Sequence, residues 1–366
     1  MIPLMNLAWE YDLLQDEINE MVKEVLSGGR YILGPMVNSF EEEMAEFCGV
    51  SYSVGVASGT DALVLSLLAC GIGRGDEVIT TPFTFFATAG AIVRVGARPV
   101  FVDIDPKTFN LDAYQTEQAV TGRTAAVIPV HLFGQMADME SLMNIAKKRG
   151  LFVIEDACQA VGAVQRGKRA GSFGHFGCFS FFPTKNLGGY GDGGMVVTGD
   201  RHLSEKIKKL RVHGSEKKYY HSHVGLNSRL DELQAGILRV KLGHLENLNR
   251  KRVEYAGLYD KELKTSEVTV PYKEPFNSHV YHLYTIKSQK RERIRAYLRK
   301  NGVDCGVYYP QPLHLQDALA FLGYSEGDFP VAEKVSREVL SLPIHPGLSI
   351  NQIKKVTGAV KDFLVQ

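Results

Sequence analysis

Residues 178–194 read Cys-Phe-Ser-Phe-Phe-Pro-Thr-Lys-Asn-Leu-Gly-Gly-Tyr-Gly-Asp-Gly-Gly and carry the strongest chemical signal in the chain. The one lysine of this stretch, Lys185, lies between an aromatic run and a cluster of glycines, a pattern that predicts a tight, apolar turn. Burial in such a turn lowers the pKa of a lysine, because desolvation disfavours the ammonium form. The neutral amine attacks carbonyl groups and forms Schiff bases with pyridoxal phosphate (PLP). An ordinary solvated loop is the alternative interpretation.

The composition limits the classes of protein to consider. The chain has 366 residues, 45% of them hydrophobic, which predicts a large domain together with a smaller one. With 42 basic and 41 acidic side chains and no basic block, neither nucleic acid nor a membrane surface is an expected partner. Five scattered cysteines without a Cys-x-x-Cys pair favour a reducing compartment over disulfides or a zinc site. No signal peptide or membrane-spanning run is recognisable, so we expect a soluble, cytoplasmic protein.

Outward from the lysine turn, short apolar strands alternate with helical patterns. Strands separated by helices of this length predict an α/β fold with a mostly parallel sheet and helices on both faces. The predicted strands lie at 52–57, 77–80, 99–103, 125–130, 151–155, 176–181 and 195–198.

The pattern changes in the last third of the chain. A long helix is predicted over 230–263, followed by short strands at 268–270 and 281–286 and by further helices. This order is typical of a smaller α+β domain. We therefore predict a large domain over residues 1–245, N-terminal segment included, which contains the candidate PLP lysine, and a small domain over residues 246–366.

Polar side chains at strand ends are the candidate ligands, because open parallel sheets bind ligands beyond the carboxyl ends of their strands. Ser58-Gly59-Thr60 precedes a helix, where it could bind a phosphate or act as an ordinary cap. Asp156 could hold the protonated pyridine nitrogen of PLP or cap the next helix. Phe85 could stack on a planar cofactor or pack in the core. The one match to Gly-x-Gly-x-x-Gly, from Gly189 to Gly194, precedes a predicted strand and does not open a helix, which argues against a dinucleotide enzyme.

In this order, these motifs resemble the DegT/StrS-type family of PLP-dependent nucleotide-sugar aminotransferases, which are enzymes of fold type I. The resemblance extends from Gly34-Pro35 to the segment that ends at His314. It implies pyridoxal 5'-phosphate as cofactor, a mostly parallel mixed sheet flanked by helices, and a smaller C-terminal α+β domain. Lys185 matches the lysine that binds the cofactor and later moves a proton, and Asp156 matches the carboxylate that faces the pyridine nitrogen.

The resemblance also assigns the remaining site residues. Gln159 matches the amide that bonds the phenolic oxygen of the cofactor, and Phe85 matches the ring stacked on it. Asn227 matches a residue that reaches the cofactor phosphate of the other subunit, which implies a homodimer. The phosphate-binding residues are Gly59, Thr60 and Ser180, and the segments that resemble the substrate site contain Tyr31, Gly34, Arg229, Tyr308 and His314.

The implied reaction moves an amino group from L-glutamate to a keto-sugar linked to a nucleoside diphosphate, giving an amino sugar and 2-oxoglutarate. Lys185 would act as nucleophile and general acid/base, while Asp156 holds the ring protonated. The sequence around Lys185, including Asp192, resembles the branch that aminates C-3, since relatives acting at C-4 more often carry glutamate there. Phe133 and Gly189 stand where many relatives have tyrosine and alanine, so the fit of the substrate stays open.

Three alternatives remain beside amination at C-3 or C-4. Family dehydratases resemble the chain but lack the cofactor lysine, so Lys185 argues against sugar dehydration. A non-catalytic regulatory protein on the same fold would not need the intact set of Lys185, Asp156, Gln159 and Ser180. An enzyme acting on amino acids alone would need an arginine for the substrate carboxylate, a role that Arg229 could fill.

Overall fold

A computed structural model describes residues 1–264 and 267–365 of the chain. The helices are α1 (Leu7–Gly28), α2 (Pro35–Cys48), α3 (Gly59–Ala69), α4 (Phe86–Arg94), α5 (Ala113–Gln118), α6 (Met139–Arg149), α7 (Arg201–Leu210), α8 (Glu232–Leu263), α9 (Arg291–Lys300), α10 (Pro330–Glu338) and α11 (Ile350–Val365). The strands are β1 (Tyr52–Val56), β2 (Glu77–Thr80), β3 (Arg98–Phe101), β4 (Thr124–Val127), β5 (Phe152–Asp156), β6 (Val164–Gln165), β7 (Lys168–Arg169), β8 (Phe176–Ser180), β9 (Gly194–Thr198), β10 (Ser215–Lys217), β11 (Tyr220–His221), β12 (Asn277–Ser278), β13 (Tyr284–Lys287) and β14 (Val339–Leu342).

The main sheet has seven strands in the order β1-β9-β8-β5-β4-β2-β3. The pairs β2-β3, β2-β4, β4-β5 and β5-β8 are parallel, whereas β9 runs antiparallel to both of its neighbours. The predicted α/β class with a mostly parallel mixed sheet is therefore confirmed. Because β5 and β8 are parallel neighbours, Asp156 and Ser180, their last residues, lie at the same edge of the sheet.

Each face of this sheet is covered by its own hydrophobic core. Val153 of β5 lies in one core with Phe40 of α2, and Ile154 lies in the other with Leu65 of α3. This alternation follows from the strand geometry, since successive side chains point to opposite faces. A strand that is apolar on both sides matches the continuous apolar runs of the sequence.

The C-terminal region forms a separate core around the antiparallel pair β13-β14. The predicted strand at 268–270 is wrong, because this segment makes only one bridge, from Thr269 to Lys287. The next strand begins at Tyr284 rather than at Tyr281, which has a left-handed backbone (φ 45°). The long helix begins at Glu232, two residues after the predicted start, because Asp231 is extended and pairs with Ile32.

Helix α8 connects the two regions, since it packs against α1 and α2 and also against α11. The predicted division between residues 245 and 246 falls inside this continuous helix and stays a prediction. The start of the chain was assigned to the large domain, but Ile2 packs in the C-terminal core and pairs with Val303.

Two further features concern the chain as a whole. All five cysteines are unpaired thiols. Within the described residues, no helix is both long enough and apolar enough to cross a membrane.

Candidate active site

A cavity of about 450 Å³ opens at the edge of the main sheet where β5 and β8 end and α3 begins. Part of its wall comes from the C-terminal region, and we refer to this cavity as the cleft. Its volume is in the range of small-molecule and cofactor sites. The cleft brings together Gly59, Thr60, Phe85, Asp156, Gln159, Ser180, Lys185 and Tyr308.

Lys185 lies in the predicted turn at the wall of the cleft. Its backbone N–H donates to the carbonyl of Phe182 at 2.8 Å, which closes the turn. The turn needs Gly188, because a Cβ there would lie 2.4 Å from the carbonyl oxygen of Pro183. Burial lowers the pKa of the Lys185 ammonium, although the nearby Asp156 carboxylate opposes that shift. The environment therefore favours a neutral, nucleophilic amine.

Asp156 lies buried at the end of β5 with hydrogen-bond donors that are all neutral. Thr88 donates its hydroxyl to Oδ2 at 2.8 Å, and the backbone N–H of Cys158 donates to Oδ1 at 3.3 Å. These contacts orient the carboxylate, and neither donor among the described residues carries a charge. A cation inside the cleft would complete the environment, because buried charges are stable when directly paired. A protonated pyridine ring fits this requirement.

Another part of the cleft, at the start of α3, is suited to an anion. Helix α3 begins at Gly59, and Ser58 caps it by accepting the N–H of Asp61 at 3.1 Å. A Cβ at Gly59 would lie 2.7 Å from the Cβ of Ser180, so only glycine lets the helix start approach β8 this closely. Free N–H groups at a helix start beside a serine hydroxyl form a phosphate cradle. The residues that line the cleft therefore fit both the pyridine nitrogen and the phosphate of PLP.

An amide and two aromatic rings also line the cleft. Gln159 accepts the backbone N–H of Phe133 at 2.8 Å and donates from Nε2 to the Tyr309 hydroxyl at 3.0 Å. Phe85 is 59% exposed, and its ring centroid lies 6.2 Å from that of Tyr309. Its ring face is thus available to a planar ligand, as the stacking role requires.

The other predicted residues do not line the cleft. Gly34 donates its N–H to Glu232 at 2.6 Å, and Glu232 donates its own N–H to the carbonyl of Tyr31 at 3.1 Å. Glu232 therefore joins Tyr31 and Gly34, and Arg229 lies three residues before it in the chain. The substrate roles of these three residues stay predictions.

Asn227 and His314 also lie outside the cleft. Asn227 is exposed, on a segment whose backbone pairs with Val212. His314 is buried, and its Nε2 lies 3.1 Å from a carboxylate oxygen of Glu333. Their roles likewise stay predictions.

Sequence reasoning missed three residues of the site. Thr88 orients Asp156, Tyr309 bonds Gln159, and His282 lines the cleft beside Lys185. Thr88 lies on α4, the helix that follows the strand predicted at 77–80. Its position near a strand end could therefore have been predicted from the sequence. Tyr309 and His282 come from the C-terminal region, and no local pattern links them to a site built by the other domain.

Comparison with known proteins agrees with this geometry. Residues 12–361 match the model of the DegT/DnrJ/EryC1/StrS aminotransferase family. The chain belongs to this family. The crystal structure of S. venezuelae DesV in complex with a ketimine intermediate is similar over 100% of this chain and 99% of that one, with 43% identity and a TM-score of 0.98.

Two similar members of the family have names that describe different roles, one regulatory and one catalytic. A Geobacillus stearothermophilus protein named "Pleiotropic regulatory protein" is 50% identical over 99% of this chain and 98% of its own length. An Acidithiobacillus ferrooxidans UDP-N-acetyl-3-dehydro-alpha-D-glucosamine 3-aminotransferase is 45% identical over 99% of this chain and 98% of its own. With the family established, the chain is a PLP-dependent aminotransferase, and the predicted cofactor is confirmed.

Proposed function

We propose that this family member transfers an amino group from L-glutamate to C-3 of a keto-sugar linked to a nucleoside diphosphate. The observation that carries the proposal is the cleft, in which Lys185 and Asp156 stand together beside a phosphate cradle. The 45% identical relative named as a 3-aminotransferase of a UDP-linked 3-dehydro sugar supports this substrate class and position. The motif around Lys185 and Asp192 supports the same position.

Each of the main residues of the cleft has its own role in the proposed reaction. PLP, when bound, supplies an electron sink that stabilises negative charge next to the reacting amine. Lys185 would hold the cofactor through Nζ and, when free of it, would accept and return a proton at that atom. Asp156 would hold a proton on the pyridine nitrogen, and the Thr88 hydroxyl orients the carboxylate for that role. Gln159 would donate to the phenolic oxygen, and the start of α3 would bind the phosphate.

The proposal includes a homodimer as the active unit. Tyr31, Gly34, Asn227 and Arg229 match substrate or cofactor segments of the family yet do not line the cleft of their own subunit. A partner subunit could bring them to a cleft, as an isologous dimer does for both sites at once. Exposed apolar side chains at Tyr31, Ile32, Tyr219, Tyr220 and Val224 would suit such an interface. We expect this dimer to work in the cytoplasm.

The direct test is a substrate panel. The purified protein, converted to its pyridoxamine phosphate form with L-glutamate, is incubated with 3-keto and 4-keto sugars linked to UDP or dTDP. We expect amination of a 3-keto substrate, with proton NMR of the product locating nitrogen at C-3. An amine at C-4 would overturn the regiochemistry, and a lack of turnover with every nucleotide sugar would overturn the substrate class.

A regulatory role is the second candidate, because the 50% identical relative is named as a regulatory protein. The two candidates differ in their response to an amino donor. An aminotransferase loses the visible band of bound PLP when L-glutamate is added, and 2-oxoglutarate restores that band. A protein that only binds PLP would keep the band unchanged, and this result would favour regulation.

A further inference from the structure

His282 lines the cleft on the side of the C-terminal region and has no role in the scheme above. It is almost completely buried, and its Nδ1 lies 3.2 Å from Oδ1 of Asn186, the residue after Lys185. Lys185 lines the same cleft and is close enough to disfavour charge on the imidazole. The cofactor lysine and this histidine are therefore neighbours, joined through Asn186.

A chain of side-chain amides fixes which nitrogen of His282 carries the proton. Asn249 donates from Nδ2 to the carbonyl of Val161 at 3.1 Å, so its Oδ1 must be the atom that accepts from Asn186 at 2.8 Å. Asn186 also donates to the carbonyl of Val280 at 3.1 Å. Because carbonyl oxygens only accept, the amide of Asn186 turns its Oδ1 to His282. Nδ1 of His282 is thus the protonated nitrogen, and Nε2 keeps a lone pair.

The surroundings keep this imidazole neutral. Burial lowers the pKa of His282 well below its ordinary value, and the ammonium form of Lys185 and the charge of Arg252 lower it further. Nε2 has no hydrogen-bond partner among residues 1–264 and 267–365. A neutral imidazole that lines the cleft beside an amine can accept an N–H from that amine at its free nitrogen, Nε2.

We propose that His282 is a positioning residue for Lys185, whose amine donates a hydrogen bond to Nε2 when it is not bound to the cofactor. A neutral amine has two N–H groups and one lone pair, so engaging one N–H fixes the direction of the lone pair. Nζ of Lys185 uses this lone pair to accept the proton that transamination moves. This inference rests on the proposed role of Lys185 as the proton-moving amine.

The test measures the Lys185 amine without the cofactor. Apo protein is acetylated with acetic anhydride over a series of pH values, and peptide mass spectrometry gives the extent of reaction at Lys185. The variants are His282→Leu, which removes the acceptor, His282→Gln, which retains one, and His279→Asn as a control. His279 is also a buried histidine of the same segment, but it stacks on Tyr281 and does not line the cleft.

An acceptor stabilises the ammonium more than the neutral amine, so its loss should lower the pH midpoint for acetylation of Lys185. We expect a drop of about one pH unit in His282→Leu, the size of one hydrogen bond to a charged group, and little change in His282→Gln or His279→Asn. In the loaded enzyme, His282→Leu should lower kcat about tenfold at unchanged KM. The charged or titratable groups that share the cleft, and stay in place in all variants, are Asp156, Cys158, Asp192, Tyr308 and Tyr309.

A midpoint in His282→Leu equal to that of the wild type would overturn the proposal, and so would an equal drop in His282→Gln. Should His282→Leu fail to fold, Asn186→Ala serves instead, because it frees the ring to take the other tautomer. It should shift the midpoint in the same direction, and no shift there would also refute the contact. The apo titration does not depend on where PLP attaches. A shifted midpoint with PLP on another lysine would therefore support the contact and reject the proposed function.

Discussion

The side-chain amide of Gln159 donates a hydrogen bond to the hydroxyl of Tyr309 at 3.0 Å. Gln159 follows the end of β5, whereas Tyr309 belongs to the C-terminal region, so the contact joins two parts of the fold across the cleft. In the proposed function, the same amide donates to the phenolic oxygen of PLP. The tyrosine hydroxyl therefore accepts, in the apo protein, from the amide donor that the proposed function assigns to the cofactor.

Replacing Tyr309 by phenylalanine should destabilise the apo protein more than the PLP-loaded protein. The apo form loses the partner of a largely buried amide, which costs about 1 kcal/mol of unfolding free energy. In the loaded form, the cofactor oxygen replaces that partner. Urea unfolding of both forms measures the difference, with Tyr308→Phe as control, since that hydroxyl has no hydrogen-bond partner among the described residues. An equal loss in both forms would speak against the role of Gln159.

Replacing Asp156 by asparagine should leave the fold intact and lower the transamination rate about a thousandfold, because an amide cannot hold the protonated ring nitrogen. Thr88→Val, which removes only the hydroxyl that orients the carboxylate, should lower the rate about tenfold. Stopped-flow loss of the PLP band on mixing with glutamate gives both rates, and circular dichroism checks the fold. Turnover near that of the wild type in Asp156→Asn would refute its role.

The sequence predicted the main sheet and the centre of the site because both depend on local patterns. The turn around Lys185 and the strand end at Asp156 are each encoded within a few residues, and the structure brings them to one cleft. Contacts of long sequence separation were not accessible in this way. Tyr309 reaches Gln159 across 150 positions, and the strand expected at 268–270 depended on a pairing partner that its own sequence does not reveal.

Mixing two inactive variants should restore activity if Asn227 acts on the cleft of its partner. Lys185→Ala lacks the cofactor amine, and Asn227→Ala lacks the residue that would cross the interface. In mixed dimers, one cleft combines an intact Lys185 with an intact Asn227 from the other subunit. We expect about a quarter of wild-type activity after equal mixing and subunit exchange, as random pairing in a two-fold dimer dictates. No recovery, in a mixture shown to exchange subunits, would place Asn227 in its own subunit's site.

Acid should destabilise the protein partly through His279. Burial lowers the pKa of this imidazole to about 3 from its ordinary 6.5, and the charge of Lys273 adds to the shift. Between these values the unfolded chain binds a proton that the folded chain does not. The stabilising contribution is therefore complete above pH 6.5 and is lost as the pH falls toward 3. His279→Asn should lose less unfolding free energy than the wild type between pH 7.5 and 5, and an equal loss would contradict the assignment.

The central claim is that Lys185 is the amine that binds the cofactor, and borohydride trapping tests it most directly. Sodium borohydride reduces the Schiff base between PLP and a lysine to a stable secondary amine, which survives proteolysis and is located by peptide mass spectrometry. Lys241, another buried lysine whose pKa is lowered by burial, serves as an internal comparison within the same digest. The account predicts the adduct on the peptide that contains Lys185 and an unmodified Lys241. An adduct on any other lysine, or none in protein saturated with PLP, would contradict it.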